Sequence, residues 1–275
     1  MTALATIAPA PGNAAGRRLW VINPNTSASV SALLQQHVQA AAGAQVQVRT
    51  LTARFGAPYI ACEASYAVAS HAALDVWAAA LAEIDADEGG EACEGGDGPA
   101  APDAVLVGCF GDPGLLALRE SSPVPVTGLA EASFITAARH GRFAIVTGGA
   151  RWGPMLQRLA QALGHAPSLA GIHTVAPTGA QLAADPQAAQ ALLAQACRDA
   201  VRATGAQAVI LGGAGLAGMA AAVQPQVPVP VIDSVVAGAQ WALHGAEPER
   251  GRAQPGCDVA WERVSPALAA LGLQG

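Results

Sequence analysis

Asp103-Ala-Val-Leu-Val-Gly-Cys-Phe-Gly-Asp-Pro-Gly-Leu115 returns later in the chain as Gln207-Ala-Val-Ile-Leu-Gly-Gly-Ala-Gly-Leu-Ala-Gly218, at an offset of 104 (207 − 103). In both copies a short β-branched apolar run stops at glycine, the pattern of a buried strand that ends in a tight loop. Two further pairs bracket this one. Phe143-Ala-Ile-Val-Thr-Gly-Gly149 matches Leu19-Trp-Val-Ile-Asn-Pro-Asn25 at 124 (143 − 19), and Pro230-Val-Ile-Asp233 matches Pro125-Val-Thr-Gly128 at 105 (230 − 125). Three matched segments in the same order make an internal duplication.

Helical stretches separate the strands: about 29–42, 63–82, the run through Arg119 after Asp112-Pro-Gly114, one from Glu131, then 152–163 and 185–204. Alternation of this kind builds parallel sheets with helices on both faces. The predicted fold is α/β with two pseudo-symmetric lobes, each a mostly parallel sheet flanked by helices, and with the active site in the cleft between them. The expected division is a flexible extension over 1–16, a first lobe from 17–118 plus about 217–245, a second lobe over 119–216 and a C-terminal tail over 246–275. Residues 85–102 are rich in Gly, Glu, Asp and Ala without a hydrophobic period, and read as an exposed acidic insertion in the first lobe.

Composition narrows the function classes. With 52% hydrophobic residues in 275 there is enough apolar material for a large core, yet no unbroken apolar run nears the roughly 20 residues of a bilayer helix. A soluble cytoplasmic protein without membrane association is expected. Net charge is −6 and all 14 basic residues are scattered arginines, which argues against nucleic acid. The absence of lysine excludes a pyridoxal phosphate Schiff base, a Schiff-base aldolase and a P-loop lysine. Cys62, Cys93, Cys109, Cys197 and Cys257 are odd in number and lack a Cys-x-x-Cys spacing, so they read as free thiols. The six histidines are isolated from one another, and no metal is expected. The expected partner is a small-molecule substrate, with homo-oligomer formation left open.

Ligands of open α/β sheets bind beyond the carboxyl ends of the strands. That rule gathers Asn23 and Asn25, Cys109 with Phe110 and Gly111, Thr147 and Gly148, and Gly213, Ala214 and Gly215 around one cleft, with Cys109 and Gly213 on opposite sides. Asn23-Pro-Asn25 reads equally as a ligand-binding turn or as a plain turn, with Thr26 or Ser27 capping the helix that follows. A thiol between a buried strand and a helix start is expected to have its pKa lowered from about 8.5 toward neutrality. Cys109 is therefore the candidate base or nucleophile. Gly111 and Gly114 are expected to leave N–H groups free beside it, and Thr147-Gly148-Gly149 to add a hydroxyl and more amides from the other lobe, so as to hold an enolate-like oxygen. Cys62, at a loop-to-helix junction, reads as an auxiliary thiol or as a half-buried structural cysteine.

Asn23-Pro-Asn-Thr-Ser27, Gly56-Ala-Pro-Tyr-Ile60, Cys109-Phe-Gly-Asp-Pro-Gly-Leu115 with Arg119-Glu120, Pro125-Val-Thr-Gly-Leu-Ala-Glu131, the Thr147 turn with Trp152, and Leu211-Gly-Gly-Ala-Gly215 form a colinear set over about 18–242. Together they resemble the hydantoin racemase branch of the cofactor-independent aspartate/glutamate racemase superfamily. What the resemblance implies is racemisation of an amino-acid derivative such as a 5-substituted hydantoin, with no cofactor. It also implies two cysteines on opposite faces of the acidic carbon, one thiolate removing the proton and the opposing thiol returning one.

The chain departs from that pattern at the second cysteine, where Gly213 stands. Three repairs are open: Cys62 supplies the second thiol, an ordered water donates in the space at Gly213, or Cys109 works alone. A lone thiol suits a single-cysteine decarboxylase or isomerase on the same fold. A non-catalytic small-molecule binding protein would need no thiol pair either.

Overall fold

The computed structural model describes residues 16–88, 100–176, 185–246, 257 and 259–272. Strands β1 (Arg17–Asn23), β2 (Val46–Thr52), β3 (Ala104–Val107) and β4 (Val126–Gly128) form one sheet in the order β2-β1-β3-β4. Strands β5 (Phe143–Gly148), β6 (Leu169–Val175), β7 (Ala208–Gly212) and β8 (Val231–Asp233) form a second in the order β6-β5-β7-β8. Every pairing is parallel. The register repeats as well, with Leu19 opposite Ala104 in the first sheet and Phe143 opposite Ala208 in the second.

Side chains alternate across each strand. Leu19, Val21 and Leu106 of the first sheet share one core with Phe143, Ile145 and Ile210 of the second. Their neighbours Trp20, Ile22, Val105 and Val107 pack on the outer helices of the first lobe, and Val146, Val209 and Leu211 on those of the second. Burial on both faces is why these strands read as continuous apolar runs.

The helices are α1 (Ala28–Ala42), α2 (Glu63–Glu88), α3 (Leu115–Ser121), α4 (Leu129–Ala138), α5 (Trp152–Ala162), α6 (Pro186–Thr204), α7 (Met219–Val223), α8 (Ser234–His244) and α9 (Pro266–Leu271). Two of them cross between lobes. Helix α4 leaves β4 and packs on α8, β7 and β8, while α8 leaves β8 and packs on α1, β3 and β4. The lobe borders expected at 118/119 and 216/217 therefore move to 128/129 and 233/234. The reason is hydrogen bonding: β4 completes the edge beside β3, and β8 the edge beside β7, before either helix departs.

Helix α2 runs to Glu88 and so takes up the first residues of the expected acidic insertion. Residues 89–99 with Cys93, residues 1–15 of the extension and residues 247–256, 258 and 273–275 of the tail lie outside the described residues. Contrary to the expectation from run lengths, Glu63–Ala86 is long and apolar enough to cross a membrane, the one such helix among the described residues. Its Ala73, Val76, Trp77, Ala80 and Ile84 are buried against the first sheet, and its Asp75 and Glu83 pair with Arg54 and Arg49. It serves as a core helix.

Candidate active site

The carboxyl ends of the central strands of both sheets open onto one cavity of about 120 Å³. The first half contributes Asn25, Ser27, Ser29, Val30, Pro58, Tyr59, Ile60, Gly108, Cys109 and Phe110; the second contributes Thr147, Gly148, Trp152 and the run from Gly212 to Leu216. Of the residues expected from sequence, Asn25, Cys109, Phe110, Thr147, Gly148, Gly213, Ala214 and Gly215 line it. Asn23, Gly111 and Cys62 do not.

Asn23 is fully buried beneath the cavity and acts on its neighbour. Its Nδ2 donates to Asn25 Oδ1 (3.2 Å), Ser27 O (3.2 Å) and Ser31 Oγ (2.9 Å), and its Oδ1 accepts from the Asn25 N–H (3.2 Å). The Ser27 N–H also donates to Asn25 Oδ1 at 2.9 Å, which sets the orientation of that amide. The Asn25 Nδ2 group is left at the cavity without a hydrogen bond among the described residues. Ser27 is the N-cap of α1, so the loop is a helix start that also lines the cavity.

Of the N–H groups expected from both halves, that of Gly149 is taken by Val175 O at 2.9 Å. Trp152 covers Gly111 so closely that a Cβ there would lie 2.4 Å from its Cζ3. Gly114 sits against Ser70 of α2. Across the cavity, Ala214 and Gly215 line the wall and donate no backbone hydrogen bond among the described residues. The Thr147 hydroxyl gives its proton to the Gly212 carbonyl at 2.7 Å, so toward a ligand it can only accept.

Cys62 belongs to the start of α2. Ser65 Oγ accepts from the Ala61 and Cys62 N–H groups (2.9 and 3.0 Å) and donates to the Cys62 carbonyl (2.8 Å). Hydrogen bonding from Ser65 also holds the Cys62 thiol below its ordinary range. The geometry seats it as a capping residue outside the cavity, so it does not form the second half of a thiol pair.

Cys109 lies at the cavity floor, 9% exposed. Burial pushes its thiol up, and the nearby Asp112 pushes it further. This reverses the expected lowering. The chain turns through an Asp112 N–H to Cys109 O bond of 3.0 Å, and α3 begins only at Leu115, so no helix N-terminus meets the sulfur. The nearby start of α4 is answered by Asp112, which accepts from the Ala130 and Glu131 N–H groups at 2.9 and 2.8 Å. Burial nevertheless pushes Asp112 up to about 7 against these donors.

The chain's two tyrosines are both near enough to Cys109 to feel its charge. Tyr66 Oη donates to Gly111 O at 2.8 Å, and Tyr59 Oη lies 3.5 Å from Gly148 O, the long limit of a hydrogen bond. Burial pushes the Tyr59 phenol up, a hydrogen bond with the Trp152 side chain draws it back, and charge on Cys109 pushes it up. Sequence reasoning assigned no role to Tyr59 or to Trp152 as a wall. The signal was there, in a tyrosine-poor chain whose Gly56-Ala-Pro-Tyr-Ile60 loop carries one of only two phenols.

Two duplicated parallel sheets that meet at a cavity holding one buried thiol define a two-lobed α/β enzyme of the racemase fold. The allantoin racemase from Klebsiella pneumoniae superimposes with a TM-score of 0.72 at 29% identity, covering 82% of this chain and 86% of that one. The allantoin racemase from Pseudomonas fluorescens gives 0.70 at 26%, covering 82% and 89%. The Asp/Glu/Hydantoin racemase family profile matches residues 19–242. A hydantoin racemase of Pseudomonas sp. (strain NS671) is 32% identical over 226 residues, 82% of this chain and 84% of the relative. The chain belongs to the Asp/Glu/hydantoin racemase family, within its hydantoin racemase branch, and is an isomerase.

Proposed function

We propose that the chain racemises 5-substituted hydantoins, or rings of the same build such as allantoin, with Cys109 moving the proton at C5. The observation that carries this reading is that Cys109 is the one thiol among the described residues that lines the cavity. The names of its relatives supply the substrate class. C5 of such a ring lies between a carbonyl and a ring nitrogen, so loss of its proton moves charge onto the carbonyl oxygen. The Ala214 and Gly215 N–H groups and Asn25 Nδ2 are the donors available for that oxygen, and Thr147 Oγ1 is an acceptor for a ring N–H. Phe110 and Trp152 give flat walls. The Phe110 ring is seated over Gly212, where a Cβ would lie 2.2 Å from its Cε1. A thiol whose pKa is pushed up is the stronger base once ionised, which suits a weak carbon acid.

The test follows each enantiomer of a 5-alkylhydantoin in D₂O by optical rotation and by deuterium at C5, with wild type beside Cys109→Ala. Wild type is expected to invert both enantiomers with deuterium uptake, and inversion is expected to fall by about 10²- to 10⁴-fold in the variant. Full inversion by Cys109→Ala, or neither inversion nor exchange by wild type on hydantoins and allantoin, overturns the reading.

A further inference from the structure

We propose that the phenol of Tyr59 carries the proton on the face of the substrate opposite Cys109, the face on which Gly213 offers no side chain. The inference rests on the carbon-acid reading above and adds the second acid that inversion requires. Tyr59 belongs to the first half by sequence, but its hydroxyl is held by the second: it lies 3.5 Å from Gly148 O and 2.7 Å from the place a Cβ on Gly149 would take. Thr147, beside Gly148, is paired with Gly212 across β5 and β7, so this wall is the one that leads into Gly213. A Cβ on Gly213 would meet only Leu216, at 3.6 Å, so the space beside that wall is open. Among the side chains lining the cavity, Cys109 and Tyr59 carry the two groups that titrate in the ordinary pH range of side chains, the others with protons being the hydroxyls of Ser27, Ser29 and Thr147 and the Asn25 and Trp152 N–H groups. Asp112 is not among them, because its carboxylate is turned to the start of α4.

The step balances with one proton shared between the pair. In one direction the Cys109 thiolate takes the C5 proton, the C–H electron pair moves into the enolate, and the Tyr59 O–H gives its proton to the other face of C5. The products are the inverted ring, a Cys109 thiol and a Tyr59 phenolate. In the reverse direction the phenolate is the base and the thiol the acid, which returns the enzyme to its first state.

The experiment separates exchange from inversion. In D₂O, Tyr59→Phe is expected to keep deuterium exchange with retained configuration, within about ten-fold of wild type, for the one enantiomer whose C5 proton faces Cys109. Its inversion is expected to fall by about 10²-fold or more. Cys109→Ala is expected to show the mirror result, with residual exchange confined to the other enantiomer. Adding Gly213→Cys to Tyr59→Phe is expected to restore inversion by placing a thiol on the empty wall. Inversion at the wild-type rate in Tyr59→Phe overturns the proposal, as does a parallel fall of exchange and inversion in a variant whose unfolding transition is unchanged. Inactive wild type overturns the carbon-acid reading and this inference with it, whereas a failed Tyr59→Phe split leaves the Cys109 result standing.

Discussion

The loops after β3 and β7 hold equivalent places in the duplication, and the contrast between them shows what such a fold conserves. Both end on a glycine that starts a short helix with nearly the same backbone, Gly114 at φ 84° and ψ 0° and Gly218 at φ 79° and ψ −7°. Between those hinges they diverge. The first loop carries a thiol and a buried carboxylate; the second carries Gly213-Ala-Gly215, with Gly213 at φ 144° and its N–H bonded to Ser234 Oγ at 3.2 Å. The crossing helices are capped differently too. Asp112 reaches from the first loop to cap α4, and Gly128 leaves room for it, since a Cβ there would lie 2.1 Å from its Cγ. Asp233 caps α8 from the end of β8 itself, accepting from the Val235 and Val236 N–H groups at 2.9 and 3.2 Å and from Gly218 N–H at 2.7 Å. Sheet order, register and hinge backbone persisted through the duplication, while side-chain chemistry was free to become one-sided.

If the loops were interchangeable, exchanging their first residues would preserve activity. The double substitution Cys109→Gly with Gly213→Cys is expected instead to lose inversion as fully as Cys109→Ala, by about 10²- to 10⁴-fold, because it leaves the first wall without a base. Activity near wild type in that variant would show that the side of the cavity holding the thiol is immaterial. Next in size is the backbone difference. Gly213→Cys alone has space for its side chain but holds an L residue at φ 144°, a conformation that costs about 1–3 kcal/mol. A urea midpoint lowered with an unchanged slope is the expected result. No change in midpoint would mean that the loop relaxes to a conformation like that of the first. Asp233→Ala comes third, at about 1 kcal/mol for one lost cap, again read from the urea midpoint.

The shared part of the comparison was legible in the sequence and the divergent part much less so. Apolar runs such as Ala104–Val107 and Ala208–Gly212 announce buried strands because both faces of each sheet are covered, and their repetition announces the two lobes. Cys109, Thr147 and Gly213 were found because a strand's carboxyl end is a geometric address. Three things were hidden. The crossing of α4 and α8 depends on which sheet has an open face, and strand spacing does not record that. The direction of the Cys109 shift depends on burial and on a carboxylate three residues away that folds back beside it. Tyr59 reaches the opposite wall through a loop whose path is set by tertiary contacts, so its sequence neighbourhood gave the motif without the destination.

The smallest expected effect probes that carboxylate, which has no counterpart in the second loop. Asp112 is pushed up to about 7, so it ionises before the thiol does, and its charge then opposes formation of the Cys109 thiolate. In wild type, kcat/KM for inversion should accordingly rise with pH and still be rising above about 8.5, where an ordinary thiol would have titrated. Asp112→Asn removes the charge, so the ascending limb should move to lower pH, with a several-fold gain at pH 8. The Asn keeps one acceptor for the start of α4 and loses the other, which should lower stability by about 1 kcal/mol. Stability carries its own sign. The folded chain holds an Asp112 proton that the unfolded chain sheds near the ordinary value of 3.8, so this contribution is full below that value and is lost as pH rises through about 7. In Asp112→Asn that slope should vanish. If instead the rate limb stays in place, burial alone holds the thiol up, and the carboxylate that distinguishes the first loop serves only as a helix cap.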